Sequence, residues 1–396
     1  MKFRKKIEKL FEGTFFISST ITSITVFVIV IFLFKEGIGI LNDKPTIKNS
    51  ILAINSNNPI SHLSSLQVKD IFDKKYTNWK ELGGRDDTII LLSTSYIDRY
   101  FTEDELGENF EHLPDKINEL IEANRGIVIL MPEQFISSKA KIKKIKIDKI
   151  SLKDLFLGKE WLPTAEPSAQ FGLLPLILGS LIVSIGAILL ALPIGLITAV
   201  YMSEITTPRF RSFLKPSIEL LAGIPSVVYG FFGLVVLVPL IQKSFNLPVG
   251  ETALAGCIIL AIMALPTIIT VAEDAIGTTP NSLKEASLAL GASKWQTIVR
   301  VSIPYAKSGI TAASILGIGR AVGETMAVLM VTGNAAVIPH SLLQPVRTIP
   351  ATIAAELGEA PMGSTHYKAL FALGIILFLI TMFFNFIVAI SKNKRK

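Results

Sequence analysis

Six stretches of this chain are each long and apolar enough to cross a lipid bilayer, and that leaves few folds open. A spanning helix needs about 20 mostly apolar residues, because the hydrocarbon core is roughly 30 Å thick and a helix rises about 1.5 Å per residue. The runs lie near 14–34, 173–202, 217–241, 252–272, 306–332 and 369–390. The second is long and carries Pro193, so a kink or an interfacial start is expected there. The expected fold class is an α-helical polytopic membrane protein of about six transmembrane helices with an extracytoplasmic α/β insertion.

Charge follows the same division. Residues 35–170 hold 19 Lys+Arg against 21 Asp+Glu, the mixed and near-neutral balance of a water-soluble domain. The remaining 20 basic residues outnumber 11 acidic ones and gather at the ends of apolar runs, so the net charge of +7 reads as membrane topology rather than a nucleic-acid-binding face. Cys257, the one cysteine, lies inside an apolar run, which excludes a disulfide framework and a cysteine metal site.

The start MKFRKKIEK resembles a signal-peptide n-region, but the apolar run behind it is too long and has no small-residue cleavage pattern, so 1–34 is expected to be a cytoplasmic tail and a retained first helix. Basic residues in short loops belong inside the cell. They are Lys2, Arg4, Lys5, Lys6 and Lys9 in the tail, Arg209, Arg211 and Lys215 after the second run, Lys284, Lys294 and Arg300 after the fourth, and Lys392, Lys394, Arg395 and Lys396 at the end. The opposite loops offer fewer, among them Lys243 and Arg347. Both termini are therefore expected in the cytoplasm of a cell-membrane protein, and 35–170 outside.

That insertion is long enough for its own core. Apolar runs at 51–54, 89–92 and 127–131 predict strands, 66–72 and 115–123 predict helices, and Gly83-Gly84 marks a turn. The run KAKIKKIKIDK (139–149) alternates Lys with Ile, as a charged edge strand does, although a patch for an acidic partner has the same composition. SSLQVKDIFDKKYTNW (64–79) and ISLKDLFLGKEW (150–161) echo one another.

The third domain, 171–396, carries the informative loop, EASLALGASKWQTIVRVSIP at 285–304: polar, amphipathic and centred on Gly291. A glycine between two short helices permits a sharp turn, and such a hairpin can insert into a groove on a partner. With Glu285, Ala286, Ser287, Gly291, Ile303 and Pro304 it resembles the EAA loop of ABC importer permeases, departing only in Ser287, where a second alanine is commoner. The resemblance implies a coupling helix that docks on a nucleotide-binding subunit. The chain contains no GxxxxGK[ST] phosphate loop, so ATP and Mg are expected on separate ATPase subunits and no cofactor on this chain.

In the fifth run, GIGRAVGETMAVLMVTG (317–333), Arg320 and Glu324 are four apart and are expected on one helical face. Charges at that depth are costly unless paired or facing a wet cavity. Arginine also suits an oxyanion through its planar fork. Arg320, Glu324 and neighbouring Thr325 are the candidate pathway residues; the alternative for the charges is a structural salt bridge between helices. Gly317, Gly319 and Gly323 allow close helix approach or exposure to the pathway. Pro225 and Ser226 mark either a break near the pathway or a kink.

GRAVGETMAVLMVTGN (319–334) and LAGIPSVVYGFFGL (221–234) look like the phosphate-specific permeases PstC and PstA, and FGLLPLILGSLIVS (171–184) with KEWLPTAEP (159–167) favours the PstC type. The resemblance implies a subunit of a phosphate importer, not an enzyme, with a PstA-type permease, two ATP-binding subunits and an extracytoplasmic phosphate-binding protein as partners, surrounded by lipid and binding no nucleic acid. Other readings are a permease for sulfate, molybdate or tungstate, or a membrane phosphate sensor; an intact coupling loop argues against the sensor. SLQVKDIFDKKYTNWKELGGRDDTIILLS (65–93) resembles part of a periplasmic phosphate-binding protein, but STSYIDRYF (93–101) has no glycine where those proteins form their phosphate turn, so a docking or vestigial role is expected. Glu273-Asp274 is expected to be solvated at a helix end, and His62, His112, His340 and His366 lack metal-ligand spacing.

Overall fold

A computed structural model describes residues 2–43, 50–107, 110–137 and 140–393. Lys139, which opens the lysine-rich run, and Lys394, Arg395 and Lys396 of the tail lie outside the described residues. The chain divides into two compact units, one of 38–173 with 361–369, the other of 1–37, 174–360 and 370–396. The expected boundary at 35–170 shifts by three residues at each end, and 361–369 joins the insertion.

Helix α1 (Lys2–Ile38) leads into the α/β unit, whose elements are β1 (Ile51–Asn55), β2 (His62–Leu63), α2 (Ser65–Phe72), β3 (Ile90–Ser93), α3 (Glu103–Leu106), α4 (Leu113–Ala123), β4 (Ile127–Met131), β5 (Ile142–Lys144), β6 (Lys146–Ile147), α5 (Leu152–Leu157), β7 (Trp161–Leu162) and β8 (Gln170–Phe171). The main sheet has the order β3-β4-β1-β5, with β3 parallel to β4 and β1 antiparallel to both neighbours. Successive side chains of a strand point to opposite faces. In β4, Val128 joins Leu52, Ile54, Val68, Ile71 and Trp79 on one face, while Ile127, Ile129 and Met131 join Ile117 and Ile121 of α4 on the other. Burial on both faces explains why these strands read as unbroken apolar runs.

The lysine-rich run does form a sheet edge, and it splits: β5 flanks β1, while β6 pairs in parallel with β2. Lys143 donates to the Asn58 carbonyl at 2.8 Å, and Lys144 pairs with Glu133 at 2.6 Å. The echoing segments share a local device. Ser64 and Gln67 form a capping box at the start of α2, Ser151 and Asp154 form one at the start of α5, and each helix leads to a fully buried tryptophan, Trp79 or Trp161. Lys368 joins the unit through Asp43 at 2.8 Å.

The second unit continues with α6 (Leu174–Val200), α7 (Pro208–Ala222), α8 (Ser226–Phe232), α9 (Val238–Phe245), α10 (Ala253–Gly277), α11 (Asn281–Ala289), α12 (Lys294–Thr297), α13 (Ile303–Tyr305), α14 (Lys307–Gly323), α15 (Met326–Val331), α16 (Ile349–Glu356) and α17 (Thr365–Asn393). Among the described residues five helices are long and apolar enough to span: Phe11–Asn42, Leu174–Ile205, Ser226–Phe245, Ala253–Gly277 and Thr365–Phe386. Two expectations need correction. The run at 306–332 is α14 and α15 with extended backbone at Glu324 between them, and the third span starts at Ser226 rather than 217 because Gly223-Ile224-Pro225 separates it from α7.

α10 is the centre of this unit and packs along α6, whose buried Ser180, Ser184, Ala187, Ala191, Gly195 and Ala199 form one stripe at helical spacing. Small residues let two backbones approach where lipid supplies no hydrophobic drive between helices. α1 packs against α17 through Phe32 on Phe371 and Phe34 on Phe378, ring centroids 5.5 and 6.2 Å apart. The outward faces of these helices carry exposed Phe, Ile, Leu and Val, the surface that hydrocarbon solvates.

Candidate functional site

Arg320 lies in the last turn of α14, half-buried, and its Nη1 donates to Thr267 Oγ1 on α10 at 3.2 Å. No carboxylate among the described residues pairs with it. The expected shared face with Glu324 is not formed, because α14 ends at Gly323 and Glu324 is extended, φ −72° and ψ 131°. The Glu324 carboxylate instead turns forward, and its Oε1 accepts from the Ala327 N–H of α15 at 3.3 Å. Thr325 donates to the Gly323 carbonyl at 3.4 Å. Arg320 thus keeps most of its donors free beside a break in the helix.

Non-helical backbone at membrane depth is tolerated where it is buried in protein or lines a wet cavity. Here it borders open space: a Cβ built at Gly319 or Gly323 meets nothing within 4 Å, whereas Gly317 packs against Ile268. A cavity of about 500 Å³ is lined by Gly323, Thr325, Pro350, Ile353 and Leu357. A second break precedes α8, which packs against α15. α8 begins after Pro225, and its Gly230 lies so close to Ala327 of α15 that a Cβ would sit 2.9 Å from the Ala327 Cα. Tyr229 spans its own break by donating to the Leu221 carbonyl at 2.8 Å. Paired discontinuous helices are a recurrent way of building a polar site inside a membrane.

The 285–304 loop is a helical hairpin. Gly291 turns the chain between α11 and α12 with φ +86°, a left-handed conformation open to glycine at little cost. Ser293 and Gln296 cap α12 reciprocally, and the Ser287 and Thr297 hydroxyls hydrogen-bond at 3.0 Å between the two arms. No residue of α11 is buried, Glu285 and Ala286 included, and Leu290 and Trp295 at the turn are 90% and 64% exposed. Pro304 is exposed beside half-buried Ile303 where the hairpin rejoins α14. Such a tip presents a tryptophan, one of the residue types enriched where a few side chains dominate binding at interfaces.

A charged cluster nearby corrects another expectation. Glu273 is fully buried, with 0% exposure, and its carboxylate accepts from Arg211 Nη2 and, at 2.9 Å, from Lys215 Nζ, both on α7; Lys215 also bonds Asp274 at 2.6 Å. The Asp274 carboxylate first, then Glu273, holds the Lys215 ammonium above the ordinary lysine value. Stranding a buried carboxylate costs about 3–5 kcal/mol. The double variant Arg211→Ala/Lys215→Ala is therefore expected to lower the melting temperature of the purified protein more than Glu273→Gln, whose amide still accepts hydrogen bonds; equal melting temperatures would contradict the buried pair. His62 pairs with Asp148 at 3.3 Å, His366 lies against Trp161, and no cluster of metal-binding side chains occurs among the described residues.

In the α/β unit, 94–99 is a short 3-10 turn in which the Arg99 guanidinium stacks over Tyr96 at 4.5 Å.

Residues 191–396 match the family described as "Binding-protein-dependent transport system inner membrane component". The Probable ABC transporter permease protein YqgH of Bacillus subtilis (strain 168) is 38% identical over 255 residues, which is 64% of this chain and 82% of that protein. The Phosphate transport system permease protein PstC of Mesorhizobium japonicum is 41% identical over 246 residues, 57% of this chain and 74% of that protein. Inward facing conformations of the MetNI methionine ABC transporter superpose with a TM-score of 0.42 at 20% identity, over 54% of this chain and 95% of that one.

Proposed function

This chain belongs to the family of binding-protein-dependent transport system inner membrane components, and from that premise we propose that it forms half of the translocation pathway of an ATP-driven phosphate importer. It is a multi-pass membrane permease subunit, a transport component rather than an enzyme. The observation that carries the phosphate reading is Arg320: a cation with one hydroxyl partner, beside a helix break and open space, next to the sequence GRAVGET that resembles phosphate permeases. A planar guanidinium donates two parallel hydrogen bonds to a tetrahedral oxyanion. Glu324 and Thr325, at the break itself, complete the pathway lining.

The 285–304 hairpin couples this subunit to ATP. Its exposed Leu290 and Trp295 fit a cleft on an ATPase subunit, so that closure of two such subunits around ATP and Mg pulls on the membrane helices. A second permease of PstA type supplies the other half of the pathway. Both termini lie in the cytoplasm, where the basic loops favour them, and the α/β unit lies outside. There it serves as a platform for a separate phosphate-binding protein.

Uptake of radiolabelled phosphate in cells lacking their own high-affinity permease, supplied with this chain and its partner subunits, tests the proposal. Uptake blocked by arsenate and untouched by sulfate or molybdate is expected. An assembled, ATP-hydrolysing complex that takes up sulfate or molybdate instead would overturn the phosphate assignment.

A further inference from the structure

An ion pair links the start of the coupling hairpin to the end of α6. Lys284, the residue before Glu285 on α11, places its Nζ 2.8 Å from Glu204 Oε1, with side chains only 19% and 8% exposed. Glu204 sits in the π-helical turn 201–205 that ends α6, so helix and turn form one continuous rod, Leu174–Ile205. Single π turns are frequent where a helix serves function. Within the hairpin the Ser287 and Thr297 hydroxyls hydrogen-bond to each other, and Thr297, Ile298 and Ser302 are buried.

An exposed ion pair of this kind would contribute little. This pair is largely screened from water, and separating the charges leaves the Glu204 carboxylate, 8% exposed, without its counter-charge, so the two groups move together. From α6 a physical route continues inward: α6 packs along α10, and α10 carries Thr267, the partner of Arg320.

We propose that Lys284–Glu204 is the strut that passes motion of the coupling hairpin to α6, making both positioning residues for transport. This rests on reading α11 as the coupling helix. The pair acts as a unit: when α11 is pulled, Glu204 follows, and the rod of α6 carries the displacement to the α10 surface that holds Arg320.

The test uses the full importer in proteoliposomes, measuring inorganic phosphate taken up per ATP hydrolysed and the ATPase subunits retained on purification. Glu204→Gln and Lys284→Met are each expected to lower uptake per ATP about tenfold, within the range typical of coupling between sites, with the ATPase retained. In the double variant the loss is expected to equal that of either single variant, since the strut is already cut. Losses that multiply in the double variant, or uptake per ATP unchanged in the singles, would overturn the strut. Leu290→Asp serves as the control. If it too leaves uptake per ATP and ATPase retention unchanged, the reading of α11 as the coupling helix fails; if it detaches or uncouples the ATPase while the strut variants behave as wild type, the strut alone fails.

Discussion

Arg320→Ala is expected to abolish phosphate uptake while leaving the complex assembled. Among the described residues the guanidinium has a single hydrogen-bond partner, Thr267 Oγ1 at 3.2 Å, and that hydroxyl can bond its own helix once the arginine is gone. No carboxylate is stranded, so the fold loses little. Transport loses the Arg320 cation at the break, and a charge-assisted hydrogen bond contributes about 1.5–3 kcal/mol even before water is excluded from the site. Arg320→Lys is expected to retain part of the uptake, because it keeps the charge and loses the bidentate fork. Labelled-phosphate uptake alongside copurification of all subunits separates these outcomes. Normal uptake in the alanine variant would remove Arg320 from the pathway.

The second large effect is expected at the hairpin tip. Gly291→Val forces a β-branched residue to φ +86°, where strain of about 1–3 kcal/mol accompanies a distorted turn. Trp295→Ala removes a 64% exposed aromatic, and interface aromatics of this type cost about 2–4 kcal/mol or more when truncated. Both variants, and Glu285→Ala to a smaller degree, are expected to release the ATPase subunits or to leave ATP hydrolysis running without uptake. Affinity copurification and uptake per ATP report the two cases. Retained ATPase with wild-type coupling in both Gly291→Val and Trp295→Ala would mean that the hairpin is an ordinary interfacial helix.

Elements governed by local pattern were legible in the sequence. Strand β4 coincides with the apolar run 127–131, α2 and α4 with the expected helices to within two residues, and Gly291 turns where the glycine stands. Hydropathy fails where a helix breaks without becoming polar. Nothing in the mean apolarity of 306–332 marks extended backbone at Glu324, since a glycine, a carboxylate and a threonine dilute a run without ending it. The separate α7 had readable signals: Thr207 before Pro208 is an N-cap with proline at the first helical position, and Gly223-Ile224-Pro225 stops it.

Long-range pairing was the other obstacle. Glu273 looks like a solvated helix end until Arg211 and Lys215, 62 and 58 residues earlier, are brought against it. The same holds for Lys284 and Glu204, whose identities suit solvent and whose partial burial follows from tertiary packing. For Arg320 and Glu324 the residues were legible as candidates and their relation was not, because four-residue spacing means one face only while the helix continues.

The most direct measurement is ATP-driven accumulation of radiolabelled phosphate in proteoliposomes that contain the two ATPase subunits, the second permease and the phosphate-binding protein, with and without this chain. Accumulation against a gradient that requires both ATP and this chain is the expected result. Equal accumulation without the chain, or accumulation without ATP, would contradict its place as half of the pathway.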